Sequence, residues 1–517
     1  MGNTAEQAGS GFQGSETSWA EVTIHQDGQD PVAVCPPTLK LSGRRRGDDA
    51  PSLIACATTK ALGQASGSFV VTLKPGREAS RLIDRLTDDA WVDIVFYRHA
   101  RPWHTMRGLL DEIRRTDVMG GGGATVSRFT LTGRDHGKIW EVTPVWFSPW
   151  ANDLVTDAVA NQVFQGVPQV LGAPPDVVQA YLKSFLEAIG QRGPDWRPPS
   201  TLPGLQGPAF LQNVVFHTAG YQNVPARRAF NPNYLSPQGT LWALAVQQAD
   251  PAFVEVWTDL LPGGDPLSAQ LASGEPVPVG KAQMTVVVRD RPFPTLSTEG
   301  HLKGYQDAWG SLPIARIPRQ QVLQLDLGRS GLERFNAFFV AHYLQQEAMK
   351  AGALNILAPL LDEQDMQVHG LRRYDVQGSM MPDPVMNVSD QMMIETQRAL
   401  ARDWYCMNPY LLSGQVELAI GRPDIRVGQR VVIPELRAPE LVFGGGPTLP
   451  QPEINLYVEQ VGHSWQFGQT TKTHLGVTRG WVGDDASYRA ALAKMILRYK
   501  IPSLIPDSAV TSGIGSA

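Results

Sequence analysis

Leu110-Asp-Glu-Ile-Arg-Arg-Thr116 and, near the other end of the chain, Val458-Glu-Gln-Val-Gly-His-Ser464 are two versions of one pattern. Each alternates apolar and polar residues as a half-buried strand does, and each carries an acidic residue inside the alternation. A second strand follows each: Ser127-Arg-Phe-Thr-Leu-Thr-Gly-Arg134 in the first copy and Thr473-His-Leu-Gly-Val-Thr-Arg-Gly480 in the second. The reading aligns Ile113 with Val461 and Phe129 with Leu475. An apolar strand precedes each hairpin, Val92 to Phe96 and Arg430 to Ile433, with a Gly- or Pro-containing loop between. Matched hairpins so far apart predict one small β-barrel present twice in one chain, a duplication rather than an array of short repeats. The competing reading is that any two hairpins of alternating residues look alike.

Working outward, residues 1–18 read as a flexible arm, being rich in Gly and Ser. From Trp19 to about residue 150 short strands dominate. Val22 and Ile24 alternate, then Leu39 and Leu41, then Phe69, Val71 and Leu73. A helix is expected over Arg77 to Leu86, and the Trp91–Phe96 strand is apolar on both faces. Residues 151–312 read as an α+β insertion. Pro174-Pro-Asp176 opens a helix carrying Val178, Leu182, Phe185 and Ile189, and Asp250-Pro251 opens another carrying Phe253, Val256, Trp257 and Leu260. Met284 to Val288 is a strand. Residues 313–482 return to strands: Leu323, Leu325 and Leu327 alternate, and Phe335 to Tyr343 is aromatic and apolar. Within an inserted helical segment at about 345–410, Asp390 to Trp404 puts Met393, Leu400 and Trp404 on one stripe, with Arg398 and Arg402 away from it. A helix from Ala486 to Tyr499 and a mobile tail complete 483–517. The fold class is therefore α+β and β-rich.

Composition narrows the function. The 517 residues carry 45 Lys and Arg against 50 Asp and Glu, a net charge of -5, so no basic excess announces a nucleic-acid binder. Charged residues are only 18% and Gly and Pro number 50 and 40, which fits many short strands and surface that other protein covers. Cys35, Cys56 and Cys406 have no metal-site spacing and form no disulfide framework; they read as small buried residues in a reducing compartment. No apolar run approaches the ~20 residues that span a bilayer, and the first residues lack the apolar core of a signal peptide.

The chemistry-bearing clusters are few. Asp362, Glu363, Asp365 and His369 are the densest acidic group beside a histidine, but they lack the glycine and ligand ladder of a calcium loop, so a solvated loop is expected rather than a metal site. His99 and His104 flank Pro102 and read as a hairpin tip. Asp111, Glu112 and Glu459 invite comparison with the paired carboxylates of glycosidases, yet neighbours in a strand point to opposite faces. Gly120–Gly123 and Gly444–Gly446 lie between strands without a phosphate-loop frame. No nucleophile elbow is present. Arg44-Arg45-Arg46 is the one tight basic run, a solvated loop or a contact for DNA or an acidic partner. No catalytic residue, cofactor or metal ligand is assigned.

Three stretches together resemble the C-terminal barrel of phage tail baseplate hub proteins: Gly421 to Ile433, Leu456 to Trp465, and Thr470 to Gly480. Val126 to Lys138 and Arg289-Asp-Arg-Pro-Phe293 add to the likeness, which covers about 19–150 and 313–482 and is weaker over the insertion. The resemblance implies two tail-tube-like β-barrels per chain and a homotrimer forming a pseudo-sixfold ring, with an axial channel for DNA in transit. It further implies a structural, non-enzymatic protein of the virion, assembled in the host cytoplasm. That protein joins a sixfold tail tube or tube initiator to a threefold central spike and contacts baseplate wedges and a tape measure protein. The alternatives are a virion-associated cell-wall or polysaccharide hydrolase, or a receptor-binding tail protein. The latter needs exposed glycan-stacking aromatics, whereas the Trp residues here sit in or beside strands and helices.

Overall fold

A computed structural model describes residues 18–25, 30–36, 52–87, 90–99, 101–119, 125–146, 178–179, 182, 214–217, 226–228, 238–249, 252–262, 282–294, 308–342, 359–378, 380–382, 390–434 and 453–501. The arm, Leu39, Leu41, Arg44–Arg46, both glycine runs, most of the Pro174 helix and the C-terminal tail lie outside them. Within the Pro174 stretch, Val178 and Leu182 are helical and buried.

Seven strands come first: β1 (Ser18–His25), β2 (Val32–Val34), β3 (Leu53–Ala61), β4 (Ser68–Leu73), β5 (Trp91–Arg98), β6 (Arg101–Met119) and β7 (Thr125–Asp135), with helix α1 (Arg77–Ile83) between β4 and β5. Helix α2 (Lys138–Val142) then leads to β8 (Pro144–Trp146), β9 (Val214–His217), β10 (Ala226–Arg228) and β11 (Gln238–Thr240), to helix α3 (Leu241–Gln248), and to β12 (Val254–Pro262) and β13 (Ala282–Asp290). Next come β14 (Ile314–Arg316), β15 (Val322–Gly328), β16 (Ala337–His342), β17 (Leu360–Leu361), α4 (Glu363–His369), β18 (Arg373–Gly378), β19 (Met380–Pro382) and α5 (Asp390–Tyr405). The chain closes with β20 (Leu412–Leu418), β21 (Arg430–Ile433), β22 (Ile454–Gln466), β23 (Lys472–Val482) and α6 (Asp485–Ile496).

Thirteen strands share one sheet, ordered β15-β20-β23-β22-β3-β4-β7-β6-β5-β1-β2, with β21 pairing β22 and β14 pairing β21. The order contains the same series twice. β3-β4-β7-β6-β5 in the first half matches β15-β20-β23-β22-β21 in the second. Two β-bulges fall at the same places in both halves, while β20–β23 and β22–β23 carry further shifts at Leu412/Gly414 and Asn455/Tyr457 that the first half lacks. β6 shifts register between Leu110 and Glu112, and β22 between Val458 and Gln460; the extra residue is Asp111 in one and Glu459 in the other. β3 shifts between Leu53 and Ala55, and β15 between Val322 and Gln324. Ile113 faces Leu131 and Val461 faces Leu475, so Ile113 matches Val461 while the true counterpart of Leu475 is Leu131, two residues beyond Phe129. The sequence alignment slips there because both loops differ in length and alternation repeats every two residues.

Each half has its own core. Leu53, Val71, Leu73, Val92, Ile94, Leu110 and Leu131 pack together under the first half. Their counterparts Val322, Val416, Leu418, Val431, Ile433, Val458 and Leu475 pack together under the second. Both sets are buried, and truncating any one Leu to Ala costs about 2–5 kcal/mol. A third core joins α2, α3, α5 and α6 to the three-stranded sheet β12-β13-β9 and to β16, with Trp309 against Trp404, Tyr457 and Tyr488.

Three expectations need correction. The stretch after Asp250-Pro251 is strand β12, not a helix. Phe253, Val256, Trp257 and Leu260 fit a helical stripe, but residues 253–260 are buried all round and Glu255 faces Arg289 across the β12–β13 ladder, which a helix could not supply. A helix just before β12 is α3, capped by the Thr240 side chain accepting from the Ala243 N–H. On α5, Arg398 is buried at 3% exposure rather than turned away from the core. In β15 the bulge breaks the leucine alternation, leaving Leu323 exposed while Leu327 is buried.

Candidate functional site

The side of the long sheet that faces away from both cores is accessible along β3, β4, β15 and the far end of β22. Period-2 alternation dictates its residues. Val71 and Leu73 point into the core, so Val70 and Thr72 point out; Val461, His463 and Trp465 point in, so Gln460, Gly462 and Ser464 point out. Across β3, Ala55, Ala57 and Thr59 continue the outward row, and Gln324 and Asp326 do so on β15. Most of these side chains are small or neutral. Two shallow concavities of about 310 and 330 Å³ open onto it. The first is lined by Thr59, Gln324, Gln415, Gln460 and His474, and the second by Ala57, Val70, Thr72, Ser464 and Lys472.

Several charges on this side are paired. Arg114 Nη2 lies 2.7 Å from Glu112, and Lys472 Nζ 2.8 Å from Glu417. Arg134 and Lys138 both reach Asp111, at 2.8 and 2.9 Å. The hydrogen bond from Lys472 holds the Glu417 carboxyl below its ordinary range. Burial alone raises the Asp111 carboxyl, but the hydrogen bonds and charges of Arg134 and Lys138 outweigh it and hold Asp111 low. Its counterpart Glu459 sits deeper in the protein, and burial raises it although the Thr478 hydroxyl donates to it at 2.8 Å. One bulge position thus holds an exposed, paired carboxylate in one half and a partly buried one in the other.

The residues singled out from sequence fall as follows. Asp111 and Glu112 are both on the exposed side, since the bulge cancels the strand alternation between them, and each is paired with a cation; Glu459 lies on the other copy. His99, at φ 50°, sits at the β5–β6 turn, but His104 does not. His104 is buried in β6 and reaches Asp93, which also binds His25 at 3.0 Å and Arg107 at 2.6 Å. Burial works to raise the Asp93 carboxyl, and these partners hold it well below the ordinary range. The acidic cluster is no solvated loop. Asp362 caps α4 by accepting from the Asp365 N–H and pairs with Arg498; Asp365 takes Arg334 and Asn336. Helix capping and ion pairing explain those carboxylates, and among the described residues no group of His, Cys, Asp and Glu is placed to hold a metal ion. Cys35, Cys56 and Cys406 are buried thiols outside any disulfide.

Sequence reasoning missed the buried polar ties between the long sheet and β12-β13. Arg289 donates to Glu255 at 2.9 Å and to the Tyr457 hydroxyl at 2.6 Å, and that hydroxyl donates to Glu255 at 2.8 Å. Arg426 and Lys60 similarly flank Asp259, at 3.0 and 3.5 Å. Signals were thin, because each partner lies far away in the chain. These clusters close on themselves as ion pairs bridging two sheets.

No family model matches this chain, and no curated protein does. Solved structures do, tail proteins and type VI secretion proteins among them. The chain is similar to a tail protein from Neisseria meningitidis MC58, at 11% identity over 89% of this chain and 96% of that one, with a TM-score of 0.44. It is likewise similar to the 43 kDa tail protein of prophage MuSo2 from Shewanella oneidensis, at 10% identity over 89% and 98%, TM-score 0.44. A third likeness is to the E. coli c3393 protein, described as a type VI secretion component similar to the T4 tail proteins gp27 and gp5, at 8% identity over 89% and 79%, TM-score 0.36.

Proposed function

We propose that this chain is a structural hub of a phage tail baseplate, in which each chain supplies two copies of one wall module. Three chains then supply six near-equivalent walls, so a threefold assembly presents a sixfold face. The observation that carries the reading is the repetition of the strand order β3-β4-β7-β6-β5 in β15-β20-β23-β22-β21, with two bulges at the same places in both. Two chance hairpins share alternation; they do not share two bulges and two separate cores. In this reading residues 19–150 and 313–482 are the barrels, 151–312 the insertion, 1–18 an arm and 483–517 a terminal helix and tail. The chain joins a tail tube or its initiator to a central spike, meets wedge and tape measure proteins, and has no catalytic role. The small, charge-matched side of the sheet suits a channel for DNA in transit, because a wall that neutralised many phosphates would hold the DNA in a salt-dependent grip. Mass photometry and negative-stain imaging of the purified protein test the reading: particles of three chains with a threefold ring are expected. Particles of one chain at every concentration overturn it.

A further inference from the structure

The duplication also supplies a pattern for contact between chains. Inside one chain the two halves are joined where the far end of β22 pairs with β3, Gln460 facing Ala61 through to Gln466 facing Ala55. The counterpart of that β22 segment is the far end of β6, and the counterpart of β3 is β15. Among the described residues neither has a second neighbour: beyond Asp111 β6 pairs only with β7, and β15 pairs only with β20 at the end of the sheet. An exposed edge of this length is a pairing surface that proteins either blunt or use.

We infer that β15 of one copy adds to the far edge of β6 in the next copy, in the register that β3 and β22 already use. The inference rests on the hub reading above. Carrying the register across by the matched bulges places Arg114 opposite Gly328, Thr116 opposite Asp326 and Val118 opposite Gln324. Asp326 then lies diagonal to Arg114 on the same side of the sheet, a favourable pair at a distance that long side chains span. Within the chain, Leu62 N–H donates to Glu459 and Phe467 N–H to Ile54, which fixes the alternation of bonded pairs along the junction. Ala57 and Ser464 fall between bonded pairs, so their counterparts Asp326 and Thr116 form a close, non-bonded pair with Cα atoms about 4.5 Å apart.

That spacing lies inside the window a disulfide accepts, about 4.4–6.8 Å. The double variant Thr116→Cys/Asp326→Cys of the full chain is therefore expected to cross-link between copies on mild oxidation, giving dimer and trimer bands without reductant. The native cysteines are buried and stay silent. Arg114→Cys/Gln324→Cys, on the same side of the same strands but out of register, is expected to cross-link at least tenfold less. Mass photometry of the unaltered chain is run alongside. Three-chain particles in which the first pair fails to cross-link, or does no better than the second, overturn this register and leave the hub reading standing. Single-chain particles overturn both.

Discussion

Removing the acidic halves of the exposed pairs on the long sheet tests whether that side faces DNA. In Glu112→Gln/Asp326→Asn/Glu417→Gln, Arg114 and Lys472 lose the carboxylates that lie 2.7 and 2.8 Å away and Arg114 also loses the Asp326 inferred beside it, while the amides keep the shape of the surface. Two cations per chain become about six per proposed ring, and six phosphate contacts give a salt slope of about -5 in log K against log salt. Affinity for a short duplex should then fall about a thousandfold between 50 and 200 mM salt. The unaltered protein, its cations matched, should bind weakly and with a shallow slope. Fluorescence anisotropy of a labelled duplex across a salt series measures both. A variant that binds DNA no better than the unaltered ring at low salt would refute the assignment of this side to the channel. Tight, steep binding by the unaltered protein would refute the argument that matched charges keep the wall slippery.

Three further outcomes follow from the same structure. Leu131→Ala and Leu475→Ala should each destabilise the protein by about 2–5 kcal/mol in denaturant unfolding. Because they sit in separate cores, the costs should add within about 0.5 kcal/mol in the double variant; strong coupling would show that the halves share one core. Burial pushes the His136 and His463 imidazoles down to about 4, so both rings stay neutral in the fold. Stability from them is full above the unfolded value near 6.5 and is lost as pH falls towards 4, by about 3 kcal/mol per ring. Thermal melts at pH 7, 5.5 and 4 check the sign, and an unchanged midpoint would contradict it. Gly414, at φ 153°, lets β20 approach β15, since a Cβ there would lie 2.0 Å from the Asp326 carbonyl oxygen. Gly414→Ala should add about 1–3 kcal/mol of backbone strain alone and weaken assembly as well as folding, read by melts and by mass photometry.

Much of the fold was legible because its strands obey one rule. Val71 and Leu73, Val416 and Leu418, Leu131 and Leu475 alternate with polar neighbours, and alternation survives without any knowledge of partners. What failed to read was whatever depends on a distant partner. Glu255 in β12 is explained by Arg289 and Tyr457, and without them Phe253, Val256, Trp257 and Leu260 make a plausible helix face. His104 went inside against expectation for the same reason, answered by Asp93 on the neighbouring strand: polarity marks a residue as exposed only if nothing buried answers it. The candidate site was the least legible part, since a side made of Ala57, Thr59, Val70, Thr72, Gly462 and Ser464 carries no motif at all.

The bulges explain why duplication was visible in one place and hidden elsewhere. An acidic residue interrupting an alternating strand is a sequence signal, so Asp111 and Glu459 could be matched by eye, and Ile113 with Val461 after them. Ile54 and Leu323 sit at the other matched bulge, but each is one more apolar residue beside an apolar neighbour, Leu53 or Val322, and leaves no mark. A bulge bends its strand and strengthens the local twist. The two shared bulges therefore bend both halves at the same places. Residues that look interchangeable with their neighbours in sequence thus set where both halves bend, a feature on which the proposed ring relies.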